Sequence, residues 1–218
     1  MSNDLVSIII PVHNQIEFTK QCIGSILKHS ADIRYEMVII DNASTDKTAE
    51  FLTEFAKNHT IIKNNVNLGC AKSWNLGIKA AKSKFVCIIN NDIVVTVGWL
   101  SALVSFYKEI NRRTENTVGL VSPAAREGAL DYDIDKYAVK LTKRCANVAQ
   151  KGIHSQCFFS EKSLYSKIGM FDEGYNFGWF EDADIYKRLK DAKLEKYVTG
   201  SAFFHHFGSK TLSKVAAE

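Results

Sequence analysis

In the first half of the chain, apolar residues fall in short unbroken blocks rather than in strict alternation. Ser7 to Ile10, Met37 to Ile40, Ile61-Ile62 with their neighbours, and Phe85 to Ile89 are such blocks, rich in β-branched residues. Continuous runs of this length predict strands covered on both faces, as in a parallel sheet. Between the blocks the spacing becomes helical. Ile23, Ile26 and Leu27 share one face, then Ala49, Leu52 and Ala56, then Trp74, Ile78 and Ala81. Three strand–helix units closed by a fourth strand form a βαβ series, which predicts a twisted parallel sheet with right-handed crossovers.

The second half is less regular. Val97 to Ile110 reads as a helix and Val118 to Ser122 as a strand. Residues Ala124 to Gly152 are polar and weakly periodic, which predicts a variable loop or short helices. Cys157 to Phe159 is a short strand, and Ser160 is positioned to cap a helix running through Ile168. Glu181 to Ala192 is a strongly helical stretch, followed by two short strands, Tyr197-Val198 and Ala202 to Phe204.

Composition narrows the functional classes. A chain of 218 residues that is 46% hydrophobic is large enough for one substantial core. Its net charge of +4 suits a protein that handles anionic small molecules. No basic run exceeds two residues, as at Lys143-Arg144, so nothing points to nucleic acid. Five cysteines without a CxxC pair (Cys22, Cys70, Cys87, Cys145 and Cys157) form neither a disulfide framework nor a zinc ribbon. They fit a reducing compartment. The start, MSNDLVSIIIPVHN, lacks a basic leader and its apolar run stops at Pro11, too short for a signal peptide or a membrane span. The expected location is the cytoplasm, with peripheral association at the inner membrane surface allowed.

Ligands of open α/β sheets bind beyond the carboxyl ends of the strands. Three polar loops fall there: Pro11-Val12-His13-Asn14, Asp41 through Asp46, and Asn90-Asn91-Asp92. Asp, Asn and Ser also favour turns and helix caps, and Asp46 is placed to cap the second helix. Dinucleotide binding is a poor reading, because the first loop carries Pro11 and His13 where a GxGxxG would stand. Gly208-Ser209-Lys210-Thr211 lacks the spacing of a P-loop and follows late strands.

Five segments in order carry a specific resemblance: SIIIPVHNQ, DNASTDKT, NVNLGCAKSWNLGI, INND and FDEGYNFGWFEDADIYKRLKDA. Together they resemble the inverting family 2 glycosyltransferases of the GT-A fold, from about Ser7 to Ser209. The resemblance implies a Rossmann-like α/β fold with a mostly parallel central sheet flanked by helices and a smaller acceptor-side half. One domain would span 1–218, with residues 1–95 as the nucleotide-binding half and 96–218 as the acceptor-binding half. It implies a nucleotide-diphosphate sugar donor and an acceptor hydroxyl on a carbohydrate, lipid-linked or protein partner, in surface polysaccharide or glycoconjugate synthesis.

The resemblance also assigns roles. Asp41 matches the acid that bonds the nucleotide base, and a uracil or thymine N3–H would be its donor. Pro11, His13 and Asn14 would line the base and ribose, with Asn67, Gly69 and Asn75 bordering the nucleotide. Asn90-Asn91-Asp92 matches a DxD signature, with Asp92 as ligand to Mn²⁺ or Mg²⁺ and the amide of Asn90 replacing a charge. Hard oxygen ligands suit such ions, which keep positions for phosphate and water. In the late motif His205-His206-Phe207-Gly208, HxxG spacing favours His205 as a further metal ligand, with His206 as the alternative.

Glu181 and Asp182 are the catalytic candidates. Asp182 matches the general base that deprotonates the acceptor, although acids at a helix start are also ordinary dipole partners. Arg188 would support the diphosphate or pair with Asp184, four residues earlier. Trp179, with Tyr175 and Phe177, is placed to stack on an acceptor sugar. The rival readings are a non-catalytic or truncated nucleotide-sugar-binding domain of a larger enzyme and a nucleotidyltransferase; the latter needs a Gly-rich basic loop that PVHNQ does not provide.

Overall fold

The first four apolar blocks become strands: β1 (Leu5–Val12), β2 (Arg34–Asn42), β3 (Thr60–Asn64) and β4 (Phe85–Ile89). The structure is a computed structural model describing residues 4–115, 117–146, 148–175 and 180–208. All four strands are parallel, in the order β3-β2-β1-β4, with Ile8 beside Met37 on one side and Cys87 on the other. Pairing of β1 with β4 runs from Val6 to Ile9 and stops before Pro11, whose nitrogen has no hydrogen to donate.

Alternate side chains leave opposite faces of these strands, and each face is covered. Val6, Ile8, Ile10 and Val12 pack with Cys22, Ile23 and Ile26 of α1 (Ile16–His29) and with α4 (Trp99–Arg113). Ile9, Val38, Ile40, Val86 and Ile88 pack on the other side with Trp74 and Ile78 of α3 (Gly69–Ala80). Each large side chain taken out of water in this way contributes roughly 1.5–3 kcal/mol. The second helix, α2 (Thr48–Leu52), is short and passes into a 3₁₀ turn at Thr53–Phe55. Ala56 therefore lies beyond it. Leu27, expected on the buried face of α1, is exposed.

The sheet continues past β4 through β8 (Cys157–Glu161), which is antiparallel, to β6 (Val118–Glu127) and β9 (Glu195–His206). The short β5 (Ile93–Val95) and β7 (Ala149–Lys151) both pair antiparallel with β9. Of the nine strands among the described residues, β1, β2, β3, β4, β6 and β9 point the same way. Their carboxyl ends share one edge.

Three expectations need correction. The segment Ala124 to Gly152 is largely regular: β6 runs on to Glu127, α5 (Ile134–Cys145) follows, and β7 closes it. Asp133 caps α5 by accepting from the Lys136 N–H at 2.9 Å. Ala138 is the one residue of α5 fully buried, so its apolar stripe is too thin to see in sequence. Ser160 is a buried strand residue, and α6 (Ser163–Ile168) begins after it. The two late strands are one twelve-residue strand, β9, preceded by α7 (Glu181–Asp191). Its pairing with β6 shifts register at Pro123/Ala124, the kind of irregularity that accommodates a strand proline.

Gly77 lets α3 lie directly on the sheet. A Cβ there would fall 2.2 Å from Ile9 Cγ2 and 3.1 Å from Ile40 Cδ1. Alanine favours a helix interior by about 1 kcal/mol over glycine, but overpacking a core costs about 1–3 kcal/mol. Ile9 is wholly buried between helix and strands and has nowhere to move. Gly77→Ala is expected to lower the urea unfolding midpoint; an unchanged or raised midpoint would show that α3 can lift from the sheet at little cost.

Candidate functional site

At the ends of β1 and β2 the backbone turns sharply. Asn14, Gln15 and Ala43 hold φ of 55°, 60° and 56°. Left-handed backbone costs on the order of 1–3 kcal/mol for a non-glycine residue and persists only where surroundings enforce it. Here they do. Asn14 Oδ1 accepts from the Thr45 N–H at 2.7 Å and the Asp46 N–H at 3.2 Å, and Asn14 N–H donates to Ser44 Oγ at 2.9 Å. Asp46 accepts from the Ile16 N–H at 3.2 Å and the Thr48 N–H at 2.9 Å, so it ties the starts of α1 and α2 together.

Asp41 is buried, with Oδ1 held by the Ser44 N–H at 3.0 Å. Beside it Asn42 is a hub. Its side chain bonds Ser73 and Asn64, and its carbonyl accepts from His13 Nδ1 at 2.7 Å. Asn67 Oδ1 accepts from the N–H of Gly69, whose φ of 75° opens α3. His13, Asn14, Asp41, Asn67 and Gly69 thus belong to neighbouring loops on the shared edge, and Pro11 stands half-buried in β1 just before them.

Further along this edge lies Asn90-Asn91-Asp92. Asn90 N–H donates to the Gln156 carbonyl at 3.1 Å. Asn91, expected near the donor, is buried, and its amide donates to Thr19 Oγ1 of α1 at 3.0 Å. That bond ties the loop to α1. Asp92 Oδ1 stands 3.2 Å from His206 Nε2, with only 4% and 1% of these side chains exposed. Two backbone links fix the pair: Phe207 N–H donates to the Asp92 carbonyl at 3.0 Å, and Ile93 is the register partner of His206.

His205, favoured by its spacing, points elsewhere. Its Nδ1 lies 3.0 Å from the Tyr132 hydroxyl and its Nε2 3.0 Å from the Gly128 carbonyl. Neighbouring residues of a strand face opposite ways, so only one of the two histidines can reach Asp92. Burial holds the His205 pKa below its ordinary value. Burial works the same way at His206, but the Asp92 and Glu127 carboxylates outweigh it and raise its pKa. Among the described residues no three His, Cys, Asp or Glu side chains converge as a ready-made metal cluster. The donor set that does meet, one carboxylate and one imidazole, suits Mn²⁺ or Mg²⁺ that takes its remaining ligands from phosphate and water.

The start of α7 brings the third group. Phe180, with φ of 72°, precedes it. Glu181 is only 5% exposed, and its Oε2 has no hydrogen-bond partner among the described residues. Burial, and then the charge of Asp182, raise its pKa against the opposing backbone N–H. Burial, with Glu181 adding, also pushes the Cys70 thiol on α3 up to about 12. Asp182 is half-buried and accepts from the Ala183 N–H at 2.8 Å.

Two further residues expected at the donor site make bonds within the fold. Asn75 is buried in α3. Its amide donates to the Phe171 carbonyl and to Glu173 Oε1, both at 2.9 Å, and its oxygen accepts from the Phe171 N–H at 3.0 Å. It pins the loop that leads toward α7. Arg188 pairs with Asp184 at 2.6 Å, the alternative partner expected from sequence, and donates to the Ile168 and Gly169 carbonyls at the end of α6. Trp179 and Phe177 lie outside the described residues.

Sequence reasoning missed Asn42 and Glu127. The first was legible as a strand-end amide beside Asp41. Glu127 sat in a segment read as loop and carried no signal until β6 was seen to reach it.

A family model described as Glycosyl transferase family 2 matches residues 7–123. The chain is 25% identical over 119 residues to the glycosyltransferase GlyG of Streptococcus pneumoniae serotype 4, a stretch covering 53% of this chain and 38% of that protein. It is 28% identical over 240 residues to an uncharacterized glycosyltransferase of Haemophilus influenzae, covering 98% and 72% of the two chains. The crystal structure of GalNAc-T7 with UDP, GalNAc and Mn²⁺ has the same fold, with a TM-score of 0.73, 14% identity, and coverage of 93% of this chain and 43% of that one.

The buried Glu181 makes stability depend on pH in a definite sense. Well below the ordinary glutamate pKa, native and unfolded chains are both protonated at this residue and it contributes nothing. As pH rises through that ordinary value, the unfolded chain ionises first, and a penalty on the folded state grows until the raised native pKa is passed. Glu181→Gln is therefore expected to raise the urea midpoint at pH 7 and to leave it nearly unchanged at pH 4. An equal gain at both pH values would show that ionisation at this residue is not the cause.

Proposed function

This chain belongs to glycosyl transferase family 2, and we propose that it moves a sugar from a UDP- or dTDP-linked donor to an acceptor hydroxyl, inverting the anomeric carbon. One observation carries the reading: Asp92 and His206 meet, both buried, on the sheet edge that also holds the Asp41 loops and the acidic start of α7. Asp41 would accept the base N3–H, with Pro11, His13, Asn14, Asn67 and Gly69 bordering base and ribose and Asn90 beside the sugar. The rigid Asn14 and Asn42 networks hold that pocket's shape before a ligand arrives.

Asp92 and His206 would hold a divalent cation, for which GalNAc-T7, with Mn²⁺ in its structure, is a parallel of the same fold. When bound, such an ion stabilises charge on the leaving diphosphate as a Lewis acid. The proton chemistry falls to Asp182, which takes the proton of the acceptor hydroxyl as that oxygen bonds the anomeric carbon. The bond from that carbon to the diphosphate oxygen breaks on the opposite side, and the nucleoside diphosphate leaves with the electron pair. Glu181, buried next to Asp182 with an oxygen unspent, is placed to bond a substrate hydroxyl. Acceptor recognition belongs to residues 96–218, toward a glycan or glycoconjugate. Among the described residues no helix is long and apolar enough to cross a membrane.

Donor turnover measured with and without Mn²⁺ tests this. Asp182→Asn is expected to lower kcat by about 10²–10⁴-fold while UDP binding by calorimetry persists; full activity in that variant would remove Asp182 from the base role. Asp92→Ala is expected to abolish Mn²⁺-dependent UDP binding, whereas Asn90→Ala should keep part of it. Wild-type protein that binds UDP yet never transfers would point to a binding module instead.

A further inference from the structure

The metal reading leaves Glu127 unexplained. It ends β6, where the parallel pairing with β9 sets it directly beside His206, and the next residue, Gly128, donates its N–H to the His206 carbonyl at 3.0 Å. Glu127 Oε2 lies 3.2 Å from His206 Nδ1, while Nε2 of the same ring lies 3.2 Å from Asp92. The imidazole thus lies between the two carboxylates, within ion-pair distance of each.

We propose that Glu127 is a positioning residue for the metal site, acting through His206. This inference rests on the reading of Asp92 and His206 as metal ligands. A neutral imidazole carries one N–H, and only the bare nitrogen can bind a cation. A carboxylate beside Nδ1 keeps the hydrogen there, turns Nε2 toward the Asp92 side, and makes that nitrogen a better donor. His205 shows the alternative, since both its nitrogens are taken by Tyr132 and Gly128 and neither is presented to a ligand. The histidine with a carboxylate behind it is the one that faces Asp92. Glu127 is itself 62% exposed, so its part in holding the fold is small compared with its part in aiming the ring.

The test uses the full chain and Mn²⁺ alone, with free Mn²⁺ followed by electron paramagnetic resonance and the melting temperature of the metal-free protein recorded beside it. Glu127→Ala is expected to weaken Mn²⁺ binding by about 10- to 100-fold with the metal-free melting temperature unchanged. Glu127→Gln, whose amide oxygen can still accept from Nδ1–H, should recover most of the affinity. Wild-type affinity in Glu127→Ala, while Asp92→Ala and His206→Ala lose binding, would overturn the role of Glu127 and leave the metal site standing. Glu127→Gln as weak as Glu127→Ala would overturn ring positioning in favour of bare charge. If Asp92→Ala and His206→Ala both bind Mn²⁺ like the wild type, the metal reading itself falls, and this proposal with it.

Discussion

Six strands of one sheet run in the same direction, and the site depends on it. Parallel strands deliver their carboxyl ends to a common edge, where loop polar groups need not be buried in the core. Asp41 arrives there from β2, His13 from β1, Asp92 just beyond β4, Glu127 from β6 and His206 from β9. None of these residues is near another in sequence except by strand direction. The requirement is demanding at β9, which must cross the sheet in a single twelve-residue strand to bring His206 level with Ile93. The irregularity opposite Pro123 lets it do so without breaking the pairing with β6 on either side.

The polar groups at this edge divide by whether their bonding capacity is already spent. Asn14, Asn42, Asn75 and Asn91 bond backbone or side chains on other elements, and Arg188 has three protein partners. Leaving such groups unpaired in the interior would cost roughly 1–3 kcal/mol each, so their role in the fold is paid for by the fold. Glu181 is different. It keeps an unsatisfied oxygen under nearly complete burial, a state that destabilises the free protein and that a substrate hydroxyl would relieve.

Sequence reading reached the first four strands well because their signals are local. Unbroken apolar blocks mark buried parallel strands, and acids directly after them mark the edge. It reached the other side poorly because the signals there are relational. Whether His205 or His206 meets Asp92 depends on a one-residue question of strand facing, and HxxG spacing holds no information about the facing of β9. Amides and guanidiniums serve both ligands and the fold, so sequence could not foresee the partners Phe171 and Asp184 that Asn75 and Arg188 take. The helix α5 escaped notice because a single fully buried alanine leaves almost no periodic trace.

The two halves expected from sequence meet at this edge. Asp92 comes from the first, but its imidazole partner and the carboxylate behind that imidazole come from the second. Residues 7–123, which carry the family likeness, contain Asp41 and Asp92 yet stop short of Glu127, Glu181, Asp182 and His206. A parallel sheet resolves this division. Once β6 and β9 lie in the same sheet and the same direction as the first four strands, their ends must arrive at the same edge, whatever the segments between them do. The connecting helix α5 can then vary in sequence while the ends of β6 and β9 stay at the edge beside Asp92.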